Sequence, residues 1–146
     1  MQIRLMKSDE VETVAAIWHA SGQQVYTFID SWKTFTLEQA CTAFRESIAV
    51  RCEVWVAEIS DDIVGYMALN GSYLDRLYVS PDHQRQGVGT ALLRHAMKHC
   101  DDGLELHTHQ KNKPACTFYA KHEFVPVRYG VSPPPESEPD VEFHWR

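Results

Sequence analysis

Apolar residues recur along this chain with two periods, and the switches between them mark out its elements. Residues 2 to 6 alternate as a strand. Ser8 reads as an N-cap, with Asp9 and Glu10 in the first turn, and Val11, Val14, Ala15 and Trp18 line one helical face up to Gly22. Residues 23 to 35 carry Tyr26, Phe28, Trp32 and Phe35 without a clean period and read as a loosely helical cover over the core. Thr36 and Gln39 form a capping box, followed at helical spacing by Leu37, Ala40, Cys41, Phe44 and Ile48. Two strands follow at about 52–60 and 63–70, apolar on both faces, which predicts helices on both sides of their sheet. Asn70-Gly71 is a hairpin signal.

In the next strand Leu74, Arg76 and Tyr78 alternate with Asp75, Leu77 and Val79, until Pro81-Asp82 ends it. From Val88 the period becomes helical through Ala91, Leu92, Leu93 and Ala96. Asp101-Asp102-Gly103 turns the chain into a strand at 104–109, then come a helix at 112–122 and a strand at 124–129. A polar, proline-rich loop at 132–140 leads to a short strand carrying Val141, Phe143 and Trp145. The fold class is α/β in the α+β sense.

The loop Gln84-Arg85-Gln86-Gly87-Val88-Gly89-Thr90 carries the chemistry. Its glycines let the backbone approach a ligand closely. They stand where a helix begins, so unpaired N–H groups and the positive end of the dipole point outward together, a site for phosphate or pyrophosphate. Arg85 adds a charge and Thr90 a hydroxyl. A Walker loop would need Gly-Lys-Ser/Thr, and no lysine follows either glycine; a dinucleotide fingerprint would need a third glycine where Leu92 stands. A kinase-type glycine loop spans a hairpin, whereas a helix follows here.

What remains, Gln-x-x-Gly-x-Gly behind a Leu-Tyr-Val-Ser-Pro strand, resembles the acetyl-CoA pyrophosphate loop of the GNAT superfamily of N-acetyltransferases. A second stretch, Asn112 to Phe124, is similar to that superfamily's other motif: Asn112, Ala115 and Phe118-Tyr119 are in place, and Glu123 stands where a glycine is customary. The resemblance spans roughly residues 53 to 129. It implies a mixed, mainly antiparallel sheet with helices on both faces, its strands around 72–79 and 104–109 running side by side and splaying apart. It places the pantetheine arm of acetyl-CoA in that gap, on backbone groups of Leu77 and Val79, with Asn112 beside it and the pyrophosphate on Gln84 to Thr90. An amine is the implied acceptor, from a small molecule or an amino terminus, and a homodimer is common among such proteins.

Acyl transfer from a thioester needs a neutral amine, a stabilised oxyanion and a leaving thiolate. The backbone N–H of Val79 or its neighbour is the candidate oxyanion donor. Tyr119 is the candidate acid. A thiol pKa of about 8.5 against about 10 for tyrosine makes full proton transfer uphill, so a donated hydrogen bond is the natural role. For the base, Asp75, Glu58, His107 and His109 lie on strands, Tyr26 approaches from the other side, and a water chain is an alternative. Asp75, read as sharing a face with Leu77 and Val79, is preferred. His107 and His109 have a His-x-His spacing that some metal sites use, but no nearby ligands complete a set, so no metal is expected. Glu136, Glu138 and Asp140 put three carboxylates on the proline-rich loop, suited to draw a cationic amine. A non-catalytic acyl-CoA-binding module is the alternative to an enzyme; Tyr119 and Asn112 favour the enzyme.

Length and composition add limits. The 146 residues, 44% apolar and 11% aromatic, suit one domain over 1–146 that needs no staples. A formal charge of −6 argues against nucleic acid as the main partner. No stretch approaches the roughly 20 apolar residues of a membrane span. The N-terminus is strand-like rather than a signal peptide, and four cysteines without paired spacing point to reduced thiols and a cytoplasmic location.

Overall fold

The computed structural model describes residues 1–146. The chain runs β1 (Gln2–Leu5), α1 (Val11–Val25), α2 (Asp30–Lys33), α3 (Leu37–Ala43), a π turn (Phe44–Ile48) and α4 (Ala49–Arg51). It continues through β2 (Glu53–Ile59), β3 (Asp62–Asn70), β4 (Tyr73–Val79), α5 (Val88–His99), β5 (Leu104–His109), α6 (Lys113–Lys121), β6 (Val125–Val131) and β7 (Pro139–Trp145). One seven-stranded sheet has the order β1-β2-β3-β4-β5-β7-β6. Every neighbouring pair is antiparallel except β4 and β5, which run parallel and share a single register pair, Tyr73 with Glu105. Beyond that pair the two strands part.

Helices cover both faces, as the double-sided apolar strands predict. On one face Val14, Trp18, Trp32, Phe44 and Tyr66 form a core between the sheet and α1 to α3. On the other, Leu92, Leu93, Leu106, Tyr119 and Phe143 pack beneath α5 and α6. Gly22 lets the first core close: a Cβ there would fall 2.2 Å from the Trp32 ring, so only glycine lets α1 and α2 meet this tightly.

Several boundaries depart from the sequence reading. Thr36 and Gln39 do form a reciprocal capping box. Ser8 makes no side-chain cap; it opens a 3₁₀ turn, and Glu10 takes the Lys7 N–H at 2.8 Å while binding Arg4. The first helix continues past Gly22 to Val25. The last strand begins at Pro139 and lies inside the sheet, between β5 and β6.

One departure moves site residues. Ala68 pairs with Arg76 and Leu69 with Leu74, so Asp75 is an extra residue, a β-bulge. The bulge resets the alternation. Leu74 joins Leu77 and Val79 against the α5 core, whereas Tyr78 packs with the α1 core and Arg76 lies over Trp18. Asp75 therefore does not share a face with Leu77 and Val79; it lines the α1-side cavity together with Arg76 and Tyr78.

Candidate active site

The start of α5 presents unpaired backbone N–H groups together, the geometry that suits an anion. Gly87 takes φ +82° as the residue before the helix, a conformation glycine adopts without strain, and a Cβ there would meet only open space. The first helical bond is donated by Ala91 to Gly87 O at 3.0 Å. The N–H groups of Val88, Gly89 and Thr90 thus lack acceptors in the helix, and no side chain caps them. Arg85, at φ +64°, bends the approach to this turn. Gln84 points back, its Nε2 3.4 Å from Val79 O, and Thr90 Oγ1 lies 3.3 Å from His122 Nε2.

The gap between β4 and β5 opens from this helix start. Ser80 N–H donates to Val64 O on β3 at 2.8 Å, so alternation along β4 turns the peptide groups of Val79 and Leu77 away from β3 and toward the gap. Ser21 Oγ donates to Val79 O at 3.1 Å, which leaves the Val79 N–H for a ligand. A slot of about 70 Å³ runs here between the strands and α6, lined by Leu77, Leu106, Asn112, Ala115 and Tyr119.

Asn112 and Tyr119 owe their positions to the two ends of α6. The Asn112 carboxamide accepts the Ala115 N–H at 3.3 Å, an N-cap that also borders the slot. At the other end Phe124 N–H donates to Tyr119 O and Glu123 N–H to Ala120 O, each at 3.1 Å. This is a Schellman motif, completed by the Tyr119 and Phe124 rings at 5.5 Å. Its left-handed residue is Glu123, at φ +71°. Burial pushes the Tyr119 phenol well above its ordinary pKa, so it stays protonated through the neutral range.

A larger cavity, about 790 Å³, opens on the α1 side of the same strands. Trp18, Tyr26, Trp32 and Phe35 give it aromatic walls, and residues Val131 to Glu136 form its rim. Glu136 ties that rim down: Trp32 Nε1 donates to it at 3.1 Å and His109 Nε2 lies 3.4 Å away. These contacts, His109 first, hold the Glu136 carboxyl below its ordinary value. Tyr26 and Tyr78 join hydroxyls at 2.8 Å, and burial raises both phenols. Cavity and slot share Tyr26, Asp75, Arg76, Tyr78, His107 and Thr108, so they meet across β4 and β5.

Residues 50–126 match the model of the acetyltransferase (GNAT) domain. The peptidyl-lysine N-acetyltransferase YjaB of Salmonella typhimurium is 31% identical over 125 residues, 85% of this chain and 83% of that one. The chain belongs to the GNAT acetyltransferase family. Among solved structures, apo YjaB from Escherichia coli superimposes with a TM-score of 0.83 over 98% of this chain and 95% of that one, at 27% identity. YncA from Salmonella typhimurium, solved with acetyl-CoA, shares the fold at TM-score 0.73 and 13% identity, over 99% of this chain and 92% of that one. This GNAT domain is an N-acetyltransferase, with acetyl-CoA as cosubstrate.

Within the GNAT domain the other residues singled out from sequence fall in different places. Glu58 is paired with Arg4 at 3.0 Å and lines neither cavity nor slot. Glu138 binds Lys111 at 3.2 Å and does not line the cavity, whereas Glu136 and Asp140 do. His107 and His109 turn to different carboxylates, Glu142 at 3.5 Å and Glu136 at 3.4 Å. Asp75 lies 3.3 Å from Arg76 Nε and 3.6 Å from Arg51. Sequence reading missed Arg76, Tyr78 and Trp18 as cavity residues. The bulge at Asp75 is what brings Asp75 to the side of Arg76 and Tyr78 and turns Leu74 away from it, and no residue pattern announces it.

Proposed function

We propose that this enzyme moves the acetyl group directly to a small-molecule primary amine held in the aromatic cavity. The amine nitrogen attacks the thioester carbon at the junction of slot and cavity, the C–N bond forms, and the C–S bond breaks. Backbone groups of Leu77 and Val79 hold the pantetheine arm as an added strand would be held, and the residues from Gln84 through Arg85, Gln86, Gly87, Val88 and Gly89 to Thr90 take the pyrophosphate. Val79 N–H faces the developing oxyanion. Tyr119 donates a hydrogen bond to the leaving thiolate and keeps its proton, because its raised pKa makes full transfer more uphill than in water. Asp75 receives the amine proton, directly or through one water.

The observation that carries this reading is the set of residues lining both slot and cavity, which gives the amine a route to the thioester through the sheet. The relatives named peptidyl-lysine N-acetyltransferases support a second reading, in which a lysine side chain enters the same cavity. Thioester loss with each of a panel of free amines and lysine peptides, with mass spectrometry of the products, separates the two. Acetylation of free amines alone supports the first reading and of peptides alone the second. Thioester consumption without an acetylated amine would overturn both.

A further inference from the structure

The cavity floor holds a cation that the protein leaves incompletely paired. Arg76 lies with its guanidinium 4.6 Å over the Trp18 ring. Its one ion pair runs from Nε to Asp75 Oδ2 at 3.3 Å, and neither of these buried atoms has a well-formed hydrogen bond. Asp75 is also shared with Arg51, so two guanidiniums face one carboxylate and this group is net positive. The acid on the rim, Glu136, is already taken by Trp32 and His109. Other arginines are better matched: Arg4 bonds Glu10 at 2.7 and 2.9 Å and Glu58 at 3.0 Å.

A guanidinium offers a planar fork of donors that fits a carboxylate bidentately, and leaving such donors unpaired away from water is costly. We propose that Arg76 is an anion subsite of the acceptor cavity, and that the acceptor is an amine bearing a carboxylate a few bonds from its nitrogen. This rests on the small-molecule reading above. Arg76 lines both slot and cavity, so an anion bound to it sits beside the place where the amine meets the thioester; that fixes the short spacing. The aromatic walls then receive the apolar body of the same molecule. Asp75 and Glu136 nearby disfavour a dianionic phosphate and favour the singly charged carboxylate. The substrate class is therefore a free amino acid with an apolar or aromatic side chain.

The test compares free amino acids with their carboxamides, as acceptors in steady-state turnover and as ligands of the acetyl-CoA-free protein by tryptophan fluorescence, alongside phosphoethanolamine, ethanolamine and a lysine peptide. A charge-assisted pair predicts kcat/KM at least about tenfold higher for the acid than for its amide. Arg76→Gln removes that preference, Arg76→Lys retains part of it, and the KM for acetyl-CoA stays unchanged. Equal turnover and binding of acid and amide by the wild type, which needs no variant to fold, would overturn the subsite. So would an Arg76→Gln enzyme that loses both substrates alike, or a clear preference for phosphoethanolamine or for the peptide. Absence of turnover with every amine would instead refute the acceptor reading beneath it, and the binding comparison still decides the subsite.

Discussion

Tyr119 is fixed from two directions, by a carbonyl that accepts the Phe124 N–H and by a ring packed on Phe124. Its hydroxyl is thus positioned by the end of α6 and not by a hydrogen-bonded partner. Tyr119→Phe should therefore leave the fold and acetyl-CoA binding intact while lowering kcat by about 10²–10⁴-fold, the usual range for acid help. Single-turnover kinetics with saturating acetyl-CoA measures this, and a variant within twofold of wild type would remove Tyr119 from the reaction. Because the Tyr119 pKa is raised, its titration does not supply an alkaline limb of the rate profile near neutrality. Glu123 provides a second prediction. It occupies the left-handed position at φ +71°, where a side chain costs about 1–2 kcal/mol relative to the right-handed region. Glycine gives back part of that in unfolded-chain entropy, so Glu123→Gly should stabilise the protein by roughly 0.5–1 kcal/mol in urea denaturation, and Glu123→Val should destabilise it. The backbone turn that the glycine of the family motif would make is made here by a glutamate.

The loop between β6 and β7 acts as a wall because Glu136 joins it to Trp32 and His109. Glu136→Gln should raise the amine KM several-fold and leave the KM for acetyl-CoA unchanged. The pH dependence follows from the sign of the shift. The folded-state value of Glu136 lies below the ordinary 4.5, so the wall contributes stability that is full above that value and is lost as pH falls through the lowered one. Tryptophan emission followed downward from pH 5 should show this release in wild type and lack it in Glu136→Gln. Elements whose signals are local were legible in the sequence: the glycine turn before α5, the Thr36 capping box, and the double-sided apolar runs of β2 and β3. Two features were not. The bulge at Asp75 inserts one residue into an alternation that otherwise counts correctly, and so exchanged the faces of Leu74 and Asp75. The insertion of β7 between β5 and β6 depends on pairing between segments distant in the chain, which no local period encodes. The candidate site was therefore legible on its cosubstrate side, where turns and caps decide it, and poorly on its acceptor side, where the bulge does.

At the scale of the whole molecule, two cores on opposite faces of one sheet hold apart a slot and a cavity that meet where β4 and β5 diverge. No helix is long and apolar enough to cross a membrane. In the proposed reaction the sheet is the partition between the two substrates. The proposed reaction places acetyl-CoA along the β4 side of that divergence and against the start of α5. Amide hydrogen exchange of the wild-type protein with and without acetyl-CoA tests this most directly, because the peptide groups concerned have no strand or helix partner of their own. Protection confined to Leu77, Val79 and the amides of Val88, Gly89 and Thr90 is the predicted result. Protection centred instead on the aromatic cavity around Trp18 and Trp32, with those amides unchanged, would contradict it.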